Sequence, residues 1–107
     1  MKYRKKPVVI EAKSMKVYLS GSITSDPNYK EHFTAAREYF TNLGYGVVDP
    51  TQFTAESYEE YLRIDLLELL ECNYICYVND VTTSKGALVE KIVSDAVGIK
   101  ETKCGKY

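Results

Sequence analysis

The chain has 107 residues, of which 45% are hydrophobic and 27% charged, and these values are typical of one small globular domain. Fourteen basic and fifteen acidic residues leave a net charge of -1, which provides no basic footprint for nucleic acid or for an anionic membrane. No apolar run is long enough to span a membrane, and the run over 7–10 is too short for a signal peptide.

The cysteine and histidine content points to a reduced protein that uses no metal. Cys72, Cys76 and Cys104 form no C-x-x-C pair, and we expect a reduced, cytoplasmic protein. Cys72 and Cys76 lie at a predicted helix end and in a predicted strand, so these two are predicted to be small core residues. The single histidine, His32, excludes a zinc site built on a histidine cluster. No cofactor is expected.

The first residues form a segment that we separate from the rest of the chain. Residues 2–12 read as a strand, and Pro7 favours an edge position for it. We therefore divide the chain into an N-terminal strand or arm over 1–14 and a domain over 15–107.

The first half of the domain contains a strand, a helix and a second strand. Residues 16–20 predict a short buried strand, and Asp26-Pro27 predicts the start of a helix that ends at Gly44. The side chains predicted to be buried on this helix are Phe33, Ala36, Tyr39, Phe40 and Leu43. A strand over 45–49 follows.

The second half continues the alternation. Ser57 and Glu60 predict a capping box at the start of a helix to residue 71. The remaining elements are a strand over 73–78, a helix from about 84 to Gly98 and a strand over 99–103. This order predicts an α/β fold: a small Rossmann-like three-layer sandwich with a mostly parallel sheet and an added N-terminal strand. Ligands bind such sheets at the carboxyl ends of the strands, which here are the loops over 20–25 and 79–85.

The stretch over 84–90 is the first candidate for chemistry. Ser84, Lys85 and Gly86 at a helix N-terminus suit an anion, because free N–H groups and the positive end of the dipole point there. Glu90 lies at the edge of the predicted apolar face, which consists of Leu88, Val89, Ile92, Val93, Ala96 and Val97. Glu90 is either an ordinary boundary residue or a carboxylate that faces a ligand.

Asp65 is the second candidate. It falls inside the predicted apolar face of its helix, which consists of Tyr58, Tyr61, Leu62, Leu66, Leu69 and Leu70. Burying an aspartate without a partner is unfavourable, so Asp65 either bonds to a neighbouring loop or lines a polar cleft that holds a ligand. Two carboxylates, Asp65 and Glu90, at one cavity would suit glycosyl chemistry.

The loop that begins with Gly21-Ser22 fits neither the G-x-G-x-x-G nor the G-x-x-x-x-G-K-[ST] pattern, so dinucleotide and Walker-type nucleotide sites are excluded. Two interpretations of this loop and of the loop over 79–85 are equally favoured. The loops are simple turns, or together they hold a phosphate or a sugar.

The ordered motifs resemble the nucleoside 2-deoxyribosyltransferase superfamily over residues 15–99. They are Tyr18-Leu19-Ser20-Gly21-Ser22-Ile23, Asp65 within Arg63-Ile64-Asp65-Leu66-Leu67, and Ser84-x-Gly86-x-x-x-Glu90. The nearest enzymatic pattern is that of the 2'-deoxynucleoside 5'-phosphate N-hydrolases. Gly44-Tyr45-x-Val47-Val48-x-Pro50, Tyr58-Glu59-Glu60-Tyr61 and Ser84-Lys85-Gly86-Ala87 also resemble an uncharacterised, phage-associated branch.

The resemblance implies a role for each matching residue. Glu90 would be the nucleophile at the anomeric carbon, Asp65 would hold the sugar or assist the departing base, and Tyr18 would line the pocket. Substrate-binding positions would be Gly21, Ser22, Ile23, Ser84 and Gly86, all near the phosphate. Where the hydrolases carry a basic residue after Ser-Ile this chain has Thr24, so Lys85 is the candidate for that charge. The resemblance also implies a homodimer or larger homo-oligomer.

Three function classes follow from these observations. The leading hypothesis is N-glycosidic cleavage or base exchange on a 2'-deoxynucleoside or its 5'-monophosphate. The second is a non-catalytic nucleotide-binding module, a phage protein that sequesters or senses a nucleotide with the same pocket. The third, a structural protein with the N-terminal strand as contact arm, leaves the position of Asp65 unexplained.

Overall fold

The computed structural model describes residues 15–104. Within this range the chain forms a four-stranded sheet and three α-helices. The predicted N-terminal strand over 2–12 lies outside the described residues.

All four strands are parallel, in the spatial order β2-β1-β3-β4. The strands are β1 (Lys16–Ser20), β2 (Gly46–Val48), β3 (Tyr74–Tyr77) and β4 (Lys100–Glu101). The helices are α1 (Tyr29–Asn42), α2 (Tyr58–Leu70) and α3 (Lys85–Val97), and a short 3-10 helix spans Pro50–Gln52. The predicted α/β, Rossmann-like sandwich is confirmed.

The alternation of side chains along β1 divides the interior in two. Val17 and Leu19 face α1 and pack in an apolar cluster with Phe33, Ala36, Phe40, Cys76 and Val78. Tyr18 faces the other layer and packs with Leu69, Cys72 and Ile75, supported by Leu66 of α2 and Val93 of α3. Helix α1 therefore covers one face of the sheet, and α2 and α3 cover the other.

The helix ends follow local side-chain chemistry. Ser57 caps α2 by accepting a hydrogen bond from the Glu60 N–H at 3.1 Å, as predicted, but the Glu60 carboxylate accepts from Glu56 N–H and so does not complete the capping box. Gly98 ends α3 with a φ of 78°, a left-handed conformation that glycine adopts without strain.

The start of α1 differs from the prediction. Asp26 is not the N-cap, because the helix begins at Tyr29 and Asp26-Pro27 lies in the preceding turn. There the Asp26 carboxylate accepts a hydrogen bond from Asn28 N–H at 2.8 Å, an Asx-type turn that aspartate favours outside helices.

The predicted apolar faces of all three helices were partly wrong; on α2, Tyr58 and Leu70 are exposed. On α1, Tyr39 and Leu43 are 42% and 58% exposed, so its buried stripe is limited to Phe33, Ala36 and Phe40. On α3 the buried side chains are Ala87, Glu90 and Ser94, whereas Leu88, Ile92 and Val97 are exposed. A helical wheel identifies which residues share a side, but the sheet decides which side is covered, and here it covers the strip of small residues around Glu90.

Candidate functional site

Glu90 is the centre of the site. Its side chain, 4% exposed, lies on the sheet-facing side of α3 beneath the carboxyl end of β1. Tyr18 Oη donates a hydrogen bond to Glu90 Oε2 at 2.6 Å, and Ser20 Oγ donates to Glu90 Oε1 at 2.7 Å. Both carboxylate oxygens are therefore held by side chains from one face of one strand.

These contacts set the charges of the buried groups. Burial raises the pKa of Glu90, while the hydrogen bonds from Tyr18 and Ser20 favour its ionised form and oppose that rise. Burial, followed by the nearby Glu90 charge, raises the pKa of Tyr18 far above its ordinary value, so Tyr18 remains a phenol that donates. The result is a carboxylate fixed by two hydroxyl donors in a largely dry environment.

Asp65 is the second buried carboxyl group. It lies on α2, is 5% exposed, and its Oδ1 atom has no hydrogen-bond partner among the described residues. Burial, followed by the Glu90 charge, raises the pKa of Asp65 to about 8. The raised pKa favours the protonated form of Asp65 at neutral pH, whereas the two hydroxyl donors favour the ionised form of Glu90.

Both carboxyl groups open into a cleft of about 360 Å³ between the strand ends and the helices α2 and α3. Its other lining residues are Gly21, Ile23, Thr24, Tyr29, Pro50, Thr51, Tyr58, Tyr61, Leu62, Ser84, Gly86 and Ala87. The Tyr61 hydroxyl donates to the Pro50 carbonyl and so joins α2 to the segment after β2. Burial, followed by the charge of Asp65, raises the pKa of Tyr61. The cleft combines two acids with an aromatic and apolar wall, which suits a small organic ligand.

The loop after β1 is fixed from below by Asn79. The Asn79 side chain accepts a hydrogen bond from Ser22 N–H at 2.7 Å and donates to the Ser22 carbonyl at 2.9 Å. A Cβ atom at Gly21 would lie 2.6 Å from Asn79 Oδ1 and 2.8 Å from Val78 Cγ2, so a larger residue would force these side chains to move. Because Gly21 has no side chain, the backbone of the loop can lie directly against the Asn79 amide group.

A polar network extends this support to α1. Asp26 Oδ2 accepts from Asn79 Nδ2 at 2.6 Å and lies 2.6 Å from His32 Nδ1. The hydrogen bond to His32, followed by that to Asn28, lowers the pKa of Asp26. The loops after β1 and β3 are thereby tied to each other and to the first helix.

The loop after β3 leads into α3. Ser84 caps the helix, its hydroxyl accepting a hydrogen bond from Ala87 N–H at 3.2 Å. A Cβ atom at position 86 would be 3.5 Å from the Tyr58 hydroxyl, so Gly86 lies beside Tyr58. Lys85 is exposed and is not among the residues that line the cleft.

The structure brings most of the predicted site residues together. Those that line the cleft are Glu90, Asp65, Gly21, Ile23, Ser84 and Gly86. Tyr18 lies behind Glu90, and Ser22 is buried under the loop, where its hydroxyl donates to the Asp80 carbonyl at 2.7 Å. The binding and catalytic roles of all these residues, and of Lys85, stay predictions.

Ser20 and Tyr29 are functional candidates that the sequence analysis missed. Ser20 holds one oxygen of Glu90, and Tyr29 lines the cleft from the first turn of α1. The available signal for Ser20 was its spacing of two residues from Tyr18, which places both side chains on the same face of a strand. Tyr29 carried no comparable signal, because its position depends on the packing of the turn before α1.

Residues 15–104 contain neither a cluster of metal ligands nor a membrane-spanning helix. No group of three or more histidine, cysteine, aspartate or glutamate side chains is placed to hold a metal ion. No helix in this part of the chain is long and apolar enough to cross a membrane.

Comparison with known families gives one match. Residues 15–102 match a domain of unknown function, DUF4406, and the chain belongs to this family. No curated protein matches the chain. The similarity to the nucleoside 2-deoxyribosyltransferase superfamily therefore remains a resemblance based on motifs.

Proposed function

We propose that this protein cleaves or exchanges the N-glycosidic bond of a 2'-deoxynucleoside or its 5'-monophosphate, with Glu90 as the nucleophile. The observation that supports this most is the pairing of two unlike carboxyl groups in one cleft. Tyr18 and Ser20 orient Glu90 by hydrogen bonds that favour its ionised form, and burial beside Glu90 favours the protonated form of Asp65. A nucleophile and a proton donor are the two groups that glycosidic cleavage requires.

In the first step a Glu90 carboxylate oxygen bonds to the anomeric carbon while the bond from that carbon to the base nitrogen breaks. The electron pair of the broken bond leaves with the base, and the Asp65 proton neutralises it. The products are a deoxyribosyl ester of Glu90, a free base and an Asp65 carboxylate.

In the second step the ester is resolved. A water oxygen attacks the anomeric carbon, Glu90 departs as a carboxylate, and Asp65 takes up the water proton, so that deoxyribose is released. If a second base enters the cleft, its nitrogen attacks instead, its proton passes to Asp65, and a new nucleoside forms. Both routes return the two carboxyl groups to their initial protonation states.

The test is a chromatographic assay for free base. The full chain is incubated with each deoxynucleoside and each deoxynucleoside 5'-monophosphate, alone and with a second base as acceptor. We expect base release by the parent, and a loss of about 10⁴-fold or more in Glu90→Gln, because the amide is not a nucleophile. Trapping of a deoxyribosyl adduct on residue 90 by mass spectrometry would identify the attacking group. A Glu90→Gln variant as active as the parent would refute the role of Glu90.

A non-catalytic nucleotide-binding module is the second candidate, and one observation favours it. Both oxygens of Glu90 accept hydrogen bonds, which stabilises its charge and reduces its reactivity toward carbon. If the parent binds a deoxynucleotide in calorimetry and releases no base from any substrate, the module is supported and the enzyme is excluded.

We also infer that the chain forms a homo-oligomer. Large apolar side chains are exposed on the outer sides of the two helices that flank the cleft: Leu67 and Leu70 on α2, and Leu88, Ile92 and Val97 on α3. Grouped exposed apolar residues are typical of an interface with another chain.

A further inference from the structure

We infer that the ligand of the cleft is an uncharged 2'-deoxynucleoside and not its 5'-monophosphate. This inference rests on the proposed function and narrows it to one substrate class. The physical basis is the charge of the cleft and the hydrogen bonds that already occupy polar groups of its two loops.

The cleft is acidic. Among the residues of the described range that line it, the acidic ones are Asp65 and Glu90, and neither a lysine nor an arginine joins them. A phosphate monoester carries a charge of about -1.5 to -2 at neutral pH and is usually met by arginine or lysine. Placing it beside a buried carboxylate without such a partner is unfavourable, whereas a nucleoside carries no charge into the cleft.

Several donors of the loop after β1 are already used within the protein. Ser22 N–H donates to Asn79 and the Ser22 hydroxyl donates to the Asp80 carbonyl, both at 2.7 Å. The Ser25 hydroxyl pairs with that of Thr83 at 3.1 Å. The polar group that this loop still presents to the cleft through a side chain is the neutral hydroxyl of Thr24.

The loop after β3 is limited in the same way. The Ser84 hydroxyl is used as the cap of α3, and Lys85 is exposed outside the cleft lining. The N-terminus of α3 contributes a partial charge of about +0.5, which offsets only a fraction of a phosphate dianion. A nucleoside hydroxyl needs no such compensation, so the loop suits it better.

The walls of the cleft complete the preference. Tyr29, Tyr58 and Tyr61 line it together with Ile23 and Leu62. A planar nucleobase can stack on aromatic rings, and this contact does not depend on whether the ligand carries a charge. The favourable contacts of the cleft are therefore those that a base and a neutral sugar can make.

The decisive experiment compares kcat/KM for each deoxynucleoside and its own 5'-monophosphate in the assay for free base. We expect the nucleoside to be preferred by at least about tenfold, the factor that 1.4 kcal/mol of charge repulsion produces. Equal use of the two forms, or preference for the monophosphate, would overturn the inference and leave the proposed function intact.

A gain-of-charge variant tests the cause. Thr24 lines the cleft and is exposed, so Thr24→Lys adds a cation at the rim without disturbing the core. It should raise the relative kcat/KM of the monophosphate by about tenfold. Thr41→Lys, on the exposed end of α1, is the matched control with the same charge change and should leave the ratio unaltered. An unaltered ratio in Thr24→Lys would contradict the electrostatic explanation.

A binding measurement separates this inference from the enzymatic proposal. If neither form releases base, calorimetry with the parent chain compares the affinities of the nucleoside and its monophosphate. Tighter binding of the nucleoside would support the inference although catalysis had failed. Tighter binding of the monophosphate, or binding of neither, would overturn it.

Discussion

The two faces of the sheet are built from different chemistry. The face toward α1 holds a cluster of buried apolar side chains in which no charged group takes part. The face toward α2 and α3 shares its interior between a small apolar cluster and the polar set of Tyr18, Ser20, Asp65, Glu90 and Ser94. The first face stabilises the fold, whereas the second maintains groups that stability alone would not select. Asp65 and Glu90 pair with no cation among residues 15–104, unlike the buried Asp49, which bonds to Arg37. Because buried carboxyl groups without a paired cation are costly, their position on one face indicates where the function lies.

The largest effect on stability is expected on the α1 face. Phe40 is 2% exposed and makes an edge contact with Tyr45 at 5.9 Å between ring centroids. Phe40→Ala should lower the free energy of unfolding by about 3–5 kcal/mol, because it removes apolar contacts and leaves a cavity. Urea denaturation measures this loss.

The activity of the folded Phe40→Ala variant, assayed at low temperature, should equal that of the parent, because Phe40 lies on the face opposite the cleft. Phe40→Leu is the control and should cost less, since it removes less of the buried volume. Loss of activity in a variant that is still folded would show that the two faces are not independent.

A smaller and opposite effect is expected from Asp65. Its pKa rises from 3.8 to about 8 on folding, so the unfolded chain loses this proton near pH 4 while the folded chain keeps it. The cost of burying Asp65 therefore grows as pH rises from about 4 to 8 and is constant above that range. Asp65→Asn removes this cost and should stabilise the protein by about 2 kcal/mol more at pH 8 than at pH 6, while impairing base release.

Asp49→Asn is the matched control for Asp65→Asn. The buried Asp49 carboxylate accepts hydrogen bonds from Arg37 at 2.9 Å and from Thr51, so its replacement should destabilise the protein at both pH values. Thermal unfolding of the two variants across this pH range distinguishes Asp65, which has an unpaired oxygen, from Asp49, which is hydrogen-bonded. Destabilisation by Asp65→Asn at every pH would show that Asp65 is a structural residue like Asp49.

The smallest effect on the stability of the single chain is expected at the outer surface of α3. Ile92 is 69% exposed, so Ile92→Glu should change the intrinsic free energy of unfolding by no more than about 0.5 kcal/mol. Light scattering should nevertheless show a loss of the oligomer, since a charge is placed in an apolar contact. Asn42→Glu adds the same charge at the exposed end of α1 and should leave the mass unchanged. An oligomer that persists in Ile92→Glu would exclude this surface of α3.

The fold was predictable because periodic patterns and helix caps act locally. The strand-helix alternation, the Ser57 cap and the Gly98 terminus each follow from neighbouring residues and appear where they were expected. The orientation of α3 was not predictable in this way. Leu88 and Ile92 share a side as the wheel indicates, but the covered side is decided by the sheet, which is a property of distant sequence.

The candidate site was predictable to the extent that its residues break a pattern. Asp65 interrupts an apolar face and is buried as that position indicated. Ser20 interrupts no sequence pattern, since a serine at the end of a strand is common. Its hydroxyl has a partner only because the fold brings Glu90 of α3 next to β1. Ser22 illustrates the opposite case, because the resemblance implied a substrate contact at this position, whereas Asn79 and Asp80 hold its N–H and its hydroxyl inside the protein.

The alternation along β1 has a consequence for how this protein can change over time. Tyr18 and Ser20 serve Glu90, and Val17 and Leu19 fill the opposite cluster, all within five consecutive residues. Insertion or deletion of one residue in this strand would exchange the two sets, placing hydroxyls in the apolar cluster and aliphatic groups against the carboxylate. Substitutions can therefore accumulate one position at a time in β1, whereas its length cannot change. A single insertion or deletion would disrupt both the apolar cluster and the contacts of Glu90.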